Sequence, residues 1–172
     1  DLAAAVKYVS NDDKTDMQLF VGAINCPPVR AYEQMMATKR RYGKTGGNVA
    51  YHGYQSFKSG EVTPKEAHEI GLETARRMWG KDYEIVVTTH LNTDNIHNHI
   101  VINSVSFKTG LKFENHISDH ICLREISDAV FSGIFSKCRY RLCGRGVSNR
   151  LILIVCRRVV VTCRKRPFRT EY

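Results

Sequence analysis

The chain has 172 residues, 42% of them apolar and 25% charged, which is enough for one compact domain with a sizeable core. It carries neither an apolar run of about eighteen residues nor a charged, apolar and small-residue leader, so the expectation is a soluble, cytoplasmic piece of a longer protein with no membrane insertion. The formal charge of +9 invites a nucleic-acid partner, and six cysteines without a C-x-x-C pair argue against a zinc ribbon or a paired redox site and for reduced thiols.

In chain order, the run 3–9 is apolar and ends at Ser10-Asn11-Asp12-Asp13, residues that favour turns, so it reads as a short strand or a helix end. Residues 17–24 read as a buried strand. Pro27-Pro28 stops any ladder, and a helix follows over 29–41, closed by Gly43. The basic, glycine-bearing loop 44–48 leads into a strand over 49–57. Alternation puts Tyr51, Gly53, Gln55 and Phe57 on one face of it and His52, Tyr54 and Ser56 on the other.

Thr63-Pro64-Lys65-Glu66 joins an N-cap hydroxyl, a proline at the first helical position and a glutamate three residues after the cap, the pattern of a capping box. A helix over 64–79 follows, with Ala67, Ile70, Gly71, Thr74, Ala75 and Met78 on one stripe and Gly80 as its stop. Residues 83–91 and 97–107 are rich in β-branched side chains and flank the turn formers 92–95, which predicts a β-hairpin. Thr109-Gly110-Leu111 is a further turn, and 119–130 suits a helix with Ile121, Leu123, Ile126 and Val130 apolar. The fold class is therefore α+β: an antiparallel β-sheet flanked by helices, over residues 1–128.

Residues 129–172 change character. Residues 1–128 hold 15 Lys+Arg against 16 Asp+Glu, whereas the last stretch holds 11 basic residues, one acid, Glu171, and four of the six cysteines. Two readings of this irregular basic tail stand side by side. It is an arginine-rich segment that binds phosphate and folds on contact, or it is not a selected protein sequence at all, such as a frameshifted or mis-joined reading.

The chemistry concentrates in the hairpin. Three of the seven histidines, His90, His97 and His99, fall within ten residues in an H-x6-H-x-H spacing. His97 and His99, two apart on a strand, project to one face, and His90 sits on the partner strand across the turn. Three neutral imidazoles in that arrangement suit zinc, manganese or iron and leave coordination positions open, as a catalytic site needs. Lys39, Arg40, Arg41 and Lys44, close to Tyr42, are candidates for holding single-stranded DNA by charge and stacking.

Three strings carry a family resemblance: Ala5-Val6-Lys7-Tyr8-Val9 with Lys14-Thr15; Tyr51-His52-Gly53-Tyr54-Gln55-Ser56-Phe57 with Gly60-Glu61; and Thr89-His90 through His97-Asn98-His99-Ile100-Val101-Ile102-Asn103-Ser104-Val105. Residues from about 4 to 128, near three quarters of the chain, resemble the relaxase/mobilization nucleases of the MobA/VirD type, members of the HUH endonuclease superfamily. The resemblance implies that Tyr8 is the nucleophile and that His90, His97 and His99 hold a divalent metal ion, magnesium, manganese or zinc. It also gives His52, Ser56 and Glu61 accessory roles in DNA contact or proton transfer beside a structural one. Many relatives have aspartate two residues after the first histidine, where this chain has Asn92; Asp94 is the nearest substitute for the missing carboxylate.

By that resemblance the activity is strand-specific nicking of plasmid or mobile-element DNA at an origin of transfer, through a tyrosine–5′-phosphate intermediate, on single-stranded DNA and alongside accessory relaxosome proteins. Tyr51 and Tyr54 are rival nucleophiles by chemistry. A rolling-circle replication initiator shares the mechanism, but its motif usually has two histidines. A hydrolase acting by activated water and a non-catalytic DNA-binding remnant of a relaxase are the remaining alternatives.

Overall fold

Among the described residues, turn chemistry and strand alternation resolve into nine elements. A computed structural model describes Val6, residues 20–114 and 116–142, and residues 159–161. The elements run β1 (Val21–Ile24), a 3-10 turn (Pro28–Arg30), α1 (Ala31–Arg41), β2 (Ala50–Ser56), α2 (Pro64–Trp79), β3 (Ile85–His90), β4 (His97–Asn103), α3 (Ile117–Leu142) and β5 (Val159–Val161). The strands form one sheet in the order β1-β3-β4-β2-β5, every pair antiparallel. An antiparallel sheet with helices is the α+β class expected.

Local differences have local causes. Pro28 opens a tight 3-10 turn, so α1 starts at Ala31 instead of at 29. Gly43 closes α1 with φ 64°, a left-handed conformation that a glycine adopts without steric cost. The capping box of α2 is complete: the Thr63 hydroxyl accepts from the Glu66 backbone N–H, and the Glu66 carboxylate accepts from the Thr63 N–H at 2.8 Å. Helix α3 crosses position 128 and runs on to Leu142, and within it Leu123 and Val130 are buried while Ile121 faces solvent. Apart from Val6, the run 3–9 lies outside the described residues, as do residues 17–19 of the expected first strand and most of the basic tail.

Helices α2 and α3 cover one face of the sheet. Ala75, Trp79, Ile85, Val87, Ile100, Ile102 and Leu123 form the core there, continued by Phe57, Ala67, Ile70 and Val130. Each of the Ile, Val, Leu and Phe side chains among them contributes about 1.5–3 kcal/mol when fully buried. Helix α1 lies on the opposite face, where Ala31 and Met35 pack on Val86 and Val101, with Val6 and Ala23 at the margin. Burial on both faces makes every residue of β3 and β4 inaccessible, so the central hairpin is a rigid platform.

Candidate metal centre

The hairpin register delivers the three histidines to one face. His90 stands opposite His97 between β3 and β4, and Thr88 stands opposite His99. On the other side of β4, Ser56 faces His97, Tyr54 faces His99 and His52 faces Val101. Because side chains alternate, all of these project to the face that α1 occupies further along the strands.

The rings converge. One ligand nitrogen from each of His90, His97 and His99 lies within 4.8 Å of the other two, and the three residues are 2%, 6% and 7% exposed. Ring centroids stand 4.3 Å apart for His90 and His99 and 5.1–5.3 Å for the other pairs. Nitrogens bound at about 2.1 Å to one tetrahedral ion lie about 3.4 Å apart, so small ring rotations close the set on a cation.

Neighbouring groups orient two of the rings. His97 Nδ1 contacts the Asn95 carbonyl at 3.0 Å and the Thr93 hydroxyl at 3.2 Å, which leaves Nε2 toward the cluster. His99 Nδ1 lies 2.7 Å from His52 Nε2. The Tyr54 ring packs against His97 and His99, with centroids 5.1 and 5.4 Å away. The Thr88 hydroxyl, opposite His99, is buried without a hydrogen-bond partner in the structure, so a polar atom on this face is left to a ligand. Buried nitrogen donors with fixed rings and a spare hydroxyl fit a divalent cation.

The other expected site residues separate by position. Asn92 and Asp94 are exposed in the connecting turn, and the contact to His97 comes from Asn95 and Thr93 instead. Glu61 closes its own turn, its carboxylate accepting from the Lys58 N–H at 2.8 Å. Tyr51 lies on the core face, where its hydroxyl donates to the Phe113 carbonyl at 3.0 Å, which removes it from the cluster. Tyr8 lies outside the described residues.

Of the basic run, Arg40 and Arg41 are exposed and Lys44 donates to the Gly110 carbonyl at 2.6 Å. Lys39 departs from the expected DNA-facing role. It is fully buried and bonded to Asn103, beside Glu84 and Thr38, because α1 turns it inward onto the sheet. Burial pushes its ammonium from 10.5 down to about 8, against the pull of Glu84.

Sequence reading missed a second polar set behind the histidines. The Thr89 hydroxyl donates to Asn98 Oδ1 at 2.7 Å, Asn98 Nδ2 donates to Gln55 at 2.9 Å and to the Ala67 carbonyl at 2.7 Å, and Gln55 donates to Ser127 at 2.7 Å. His68, whose pKa burial lowers, joins through Thr89 at 2.9 Å. The available signal was Asn98 itself, a polar residue aimed at the helix-covered face between two histidines.

The relaxase family described as "MobA/VirD2-like, nuclease domain" matches residues 8–132, which takes in the whole hairpin, all three histidines and Tyr8. The chain belongs to this relaxase family. Protein rlx of Staphylococcus aureus is 41% identical over 108 residues, covering 63% of this chain and 32% of that protein. The group II intron-interrupted relaxase LtrB of Lactococcus lactis subsp. cremoris is 32% identical over 133 residues, covering 62% and 24%. Protein TraI of Escherichia coli is 30% identical over 112 residues, covering 61% and 15%. This relaxase chain thus spans about a third or less of the length of these relatives. No solved structure matches it. Among its described residues no helix is long and apolar enough to cross a membrane.

Proposed function

We propose that this chain is the DNA-nicking nuclease domain of a relaxase, acting at an origin of transfer with Tyr8 as nucleophile and a divalent cation held by His90, His97 and His99. The observation that carries the reading is the convergence of those three buried imidazoles in a chain matched over 8–132 by the relaxase nuclease domain.

The Tyr8 oxygen attacks the phosphorus of one phosphodiester. The phenol gives up its proton as a tyrosyl O–P bond forms, the P–O3′ bond breaks, and the departing 3′-oxygen takes up a proton to leave a 3′-hydroxyl. The product keeps a phosphodiester-type bond for rejoining. A cation held by the three histidines would supply charge that offsets the negative charge on the phosphoryl oxygens. His90, His97 and His99 hold the donor set, the Asn95 carbonyl and Thr93 orient His97, and Tyr54 shields two rings on one side. Support for Tyr8 comes from its tether. Val6, two residues before Tyr8 in sequence, packs against the cluster of Ala31, Met35, Val86 and Val101 on the face that also carries the histidines.

A second nucleophile has its own observation. Tyr54 stands opposite His99 with its ring against two of the histidines. Nicking of a supercoiled plasmid carrying the cognate origin, with manganese, decides between them. Denaturing gels read the covalent protein–DNA adduct. The proposal expects the adduct in the parent chain and in Tyr54→Phe, and none in Tyr8→Phe. An adduct surviving in Tyr8→Phe and lost in Tyr54→Phe reverses the assignment; nicking without any adduct replaces it with water-mediated hydrolysis. We further propose residues 1–128 as the body of the nuclease unit, continued past 128 by the helix that buries Val130 in the core, with single-stranded DNA as the substrate and accessory relaxosome proteins as partners.

A further inference from the structure

His52 is not one of the three converging residues, yet its ring meets one of them edge to edge. On β2 it stands opposite Val101, two residues along from His99 on the same face. That diagonal is within reach of a long or aromatic side chain. Its Nε2 lies 2.7 Å from His99 Nδ1, with the ring planes inclined by only 5° and the centroids 4.8 Å apart. Two nitrogens that close in one plane share a proton, and two arrangements are open. Either His99 donates from Nδ1 to His52, or His52 donates from Nε2 to His99.

The two arrangements have opposite consequences at the far side of the His99 ring. With the proton on Nδ1, the neutral ring presents a lone pair at Nε2. With Nδ1 accepting, the neutral ring carries its proton on Nε2 and offers a cation nothing. With Nδ1 taken up by His52, a cation held by His99 needs the lone pair at Nε2, which requires the first arrangement, so His52 is the acceptor and carries its own proton on Nδ1. The Asn95 carbonyl does the same for His97, accepting from Nδ1 at 3.0 Å. We propose that His52 is a positioning residue that locks His99 in the Nδ1–H tautomer, taking the place of the acidic acceptor that Asn92 does not supply. This rests on the metal reading given above. A ring acceptor is neutral where a carboxylate is not, so this contact leaves the cation's charge undiminished for the phosphate.

The test uses the full chain, purified without metal, in four forms: parent, His52→Gln, His52→Phe and His97→Ala. Mn²⁺ affinity is measured by calorimetry, and ring nitrogens are read by ¹⁵N NMR in the absence of metal. Glutamine carries a polar atom near the place of the histidine Nε2 and can accept; phenylalanine keeps the ring volume and cannot. The expectation is a Mn²⁺ affinity lower by about 10–100-fold in His52→Phe, recovered within a few-fold in His52→Gln. His99 should show an Nδ1-protonated signature in the parent chain and a mixture in His52→Phe, with circular dichroism unchanged. Equal Mn²⁺ affinity in the parent chain and His52→Phe overturns the proposal, as does an Nε2-protonated His99 in the parent chain, a readout that survives even if the phenylalanine variant does not fold. A parent chain that binds Mn²⁺ no better than His97→Ala sinks the metal reading instead, and the tautomer lock then stands or falls on the NMR signature.

Discussion

Lys39 sits without solvent contact against Asn103, with Glu84 beside it, and the cost of keeping its charge there has a measurable pH dependence. The ordinary lysine value of 10.5 falls to about 8 in the fold, chiefly through desolvation. Between those values the unfolded chain holds a proton that the folded chain has released, so stability rises with pH across that window and is flat below it. Cys26 works in the opposite sense: burial, then Glu84, pushes its thiol from 9.0 up to about 11, and stability falls as pH rises between those values. The interval from pH 8 to 9 therefore isolates Lys39. Urea unfolding should show the parent chain gaining about 1 kcal/mol across it, relative to Lys39→Met. A flat difference would mean that the ammonium is stabilised in place as well as it is in water. At the same scale, Thr63→Ala removes the hydroxyl acceptor of the α2 capping box and should cost about 1 kcal/mol without altering Mn²⁺ binding, since the cap lies outside the histidine cluster.

Gly71 explains how α2 approaches the sheet. A Cβ at that position would run into the Asn98 side chain and press on Val87, so the bare backbone leaves room for Asn98 to bond Gln55 and the Ala67 carbonyl. Asn98 lies between two of the converging histidines in sequence, so what displaces it disturbs the strand that carries them. Gly71→Ala should lower stability by about 1–3 kcal/mol, the usual cost of overpacking, read by thermal unfolding. Mn²⁺ affinity should fall with it, whereas Gly71→Ala with unchanged stability would mean that α2 can move away freely. The sequence could place Gly71 on the buried stripe and the histidines on a hairpin, because period and turn chemistry are local. It could also define α2 to the residue, since Thr63, Pro64 and Glu66 act within one turn. It could not show that Asn98 needs the space over Gly71, that His52 reaches diagonally to His99, or that Lys39 turns inward. Each of those depends on how elements far apart in sequence meet. Alternation put Tyr51 and Tyr54 on opposite faces, but it could not say which of them shares a face with the histidines; the pairing of Tyr54 with His99 does that.

Across the whole molecule, the candidate site and the exposed basic residues sit at different ends of one sheet face. The histidines occupy the His97 end of β4, while the C-terminal end of α1 is anchored at Asn103 through Lys39. Four residue steps along the strand take His99 to Asn103, about 13 Å at the usual rise. A DNA strand reaching from one end to the other would meet charge at Arg40 and Arg41 and chemistry at the histidines, which makes the two functions separable. Removing both guanidinium groups, as Arg40→Gln with Arg41→Gln, should weaken single-stranded DNA binding and make its logarithmic salt dependence shallower by about 1.4, two phosphate contacts at about 0.7 each. Chelation of divalent ions should have the converse effect: nicking stops while the salt slope of binding is unchanged, because the histidines supply the cation and not the phosphate contacts. Fluorescence anisotropy over a salt series, alongside plasmid nicking, reads both. A salt slope unchanged in the double variant would remove these arginines from the DNA path and leave the phosphate contacts to be found nearer the histidines.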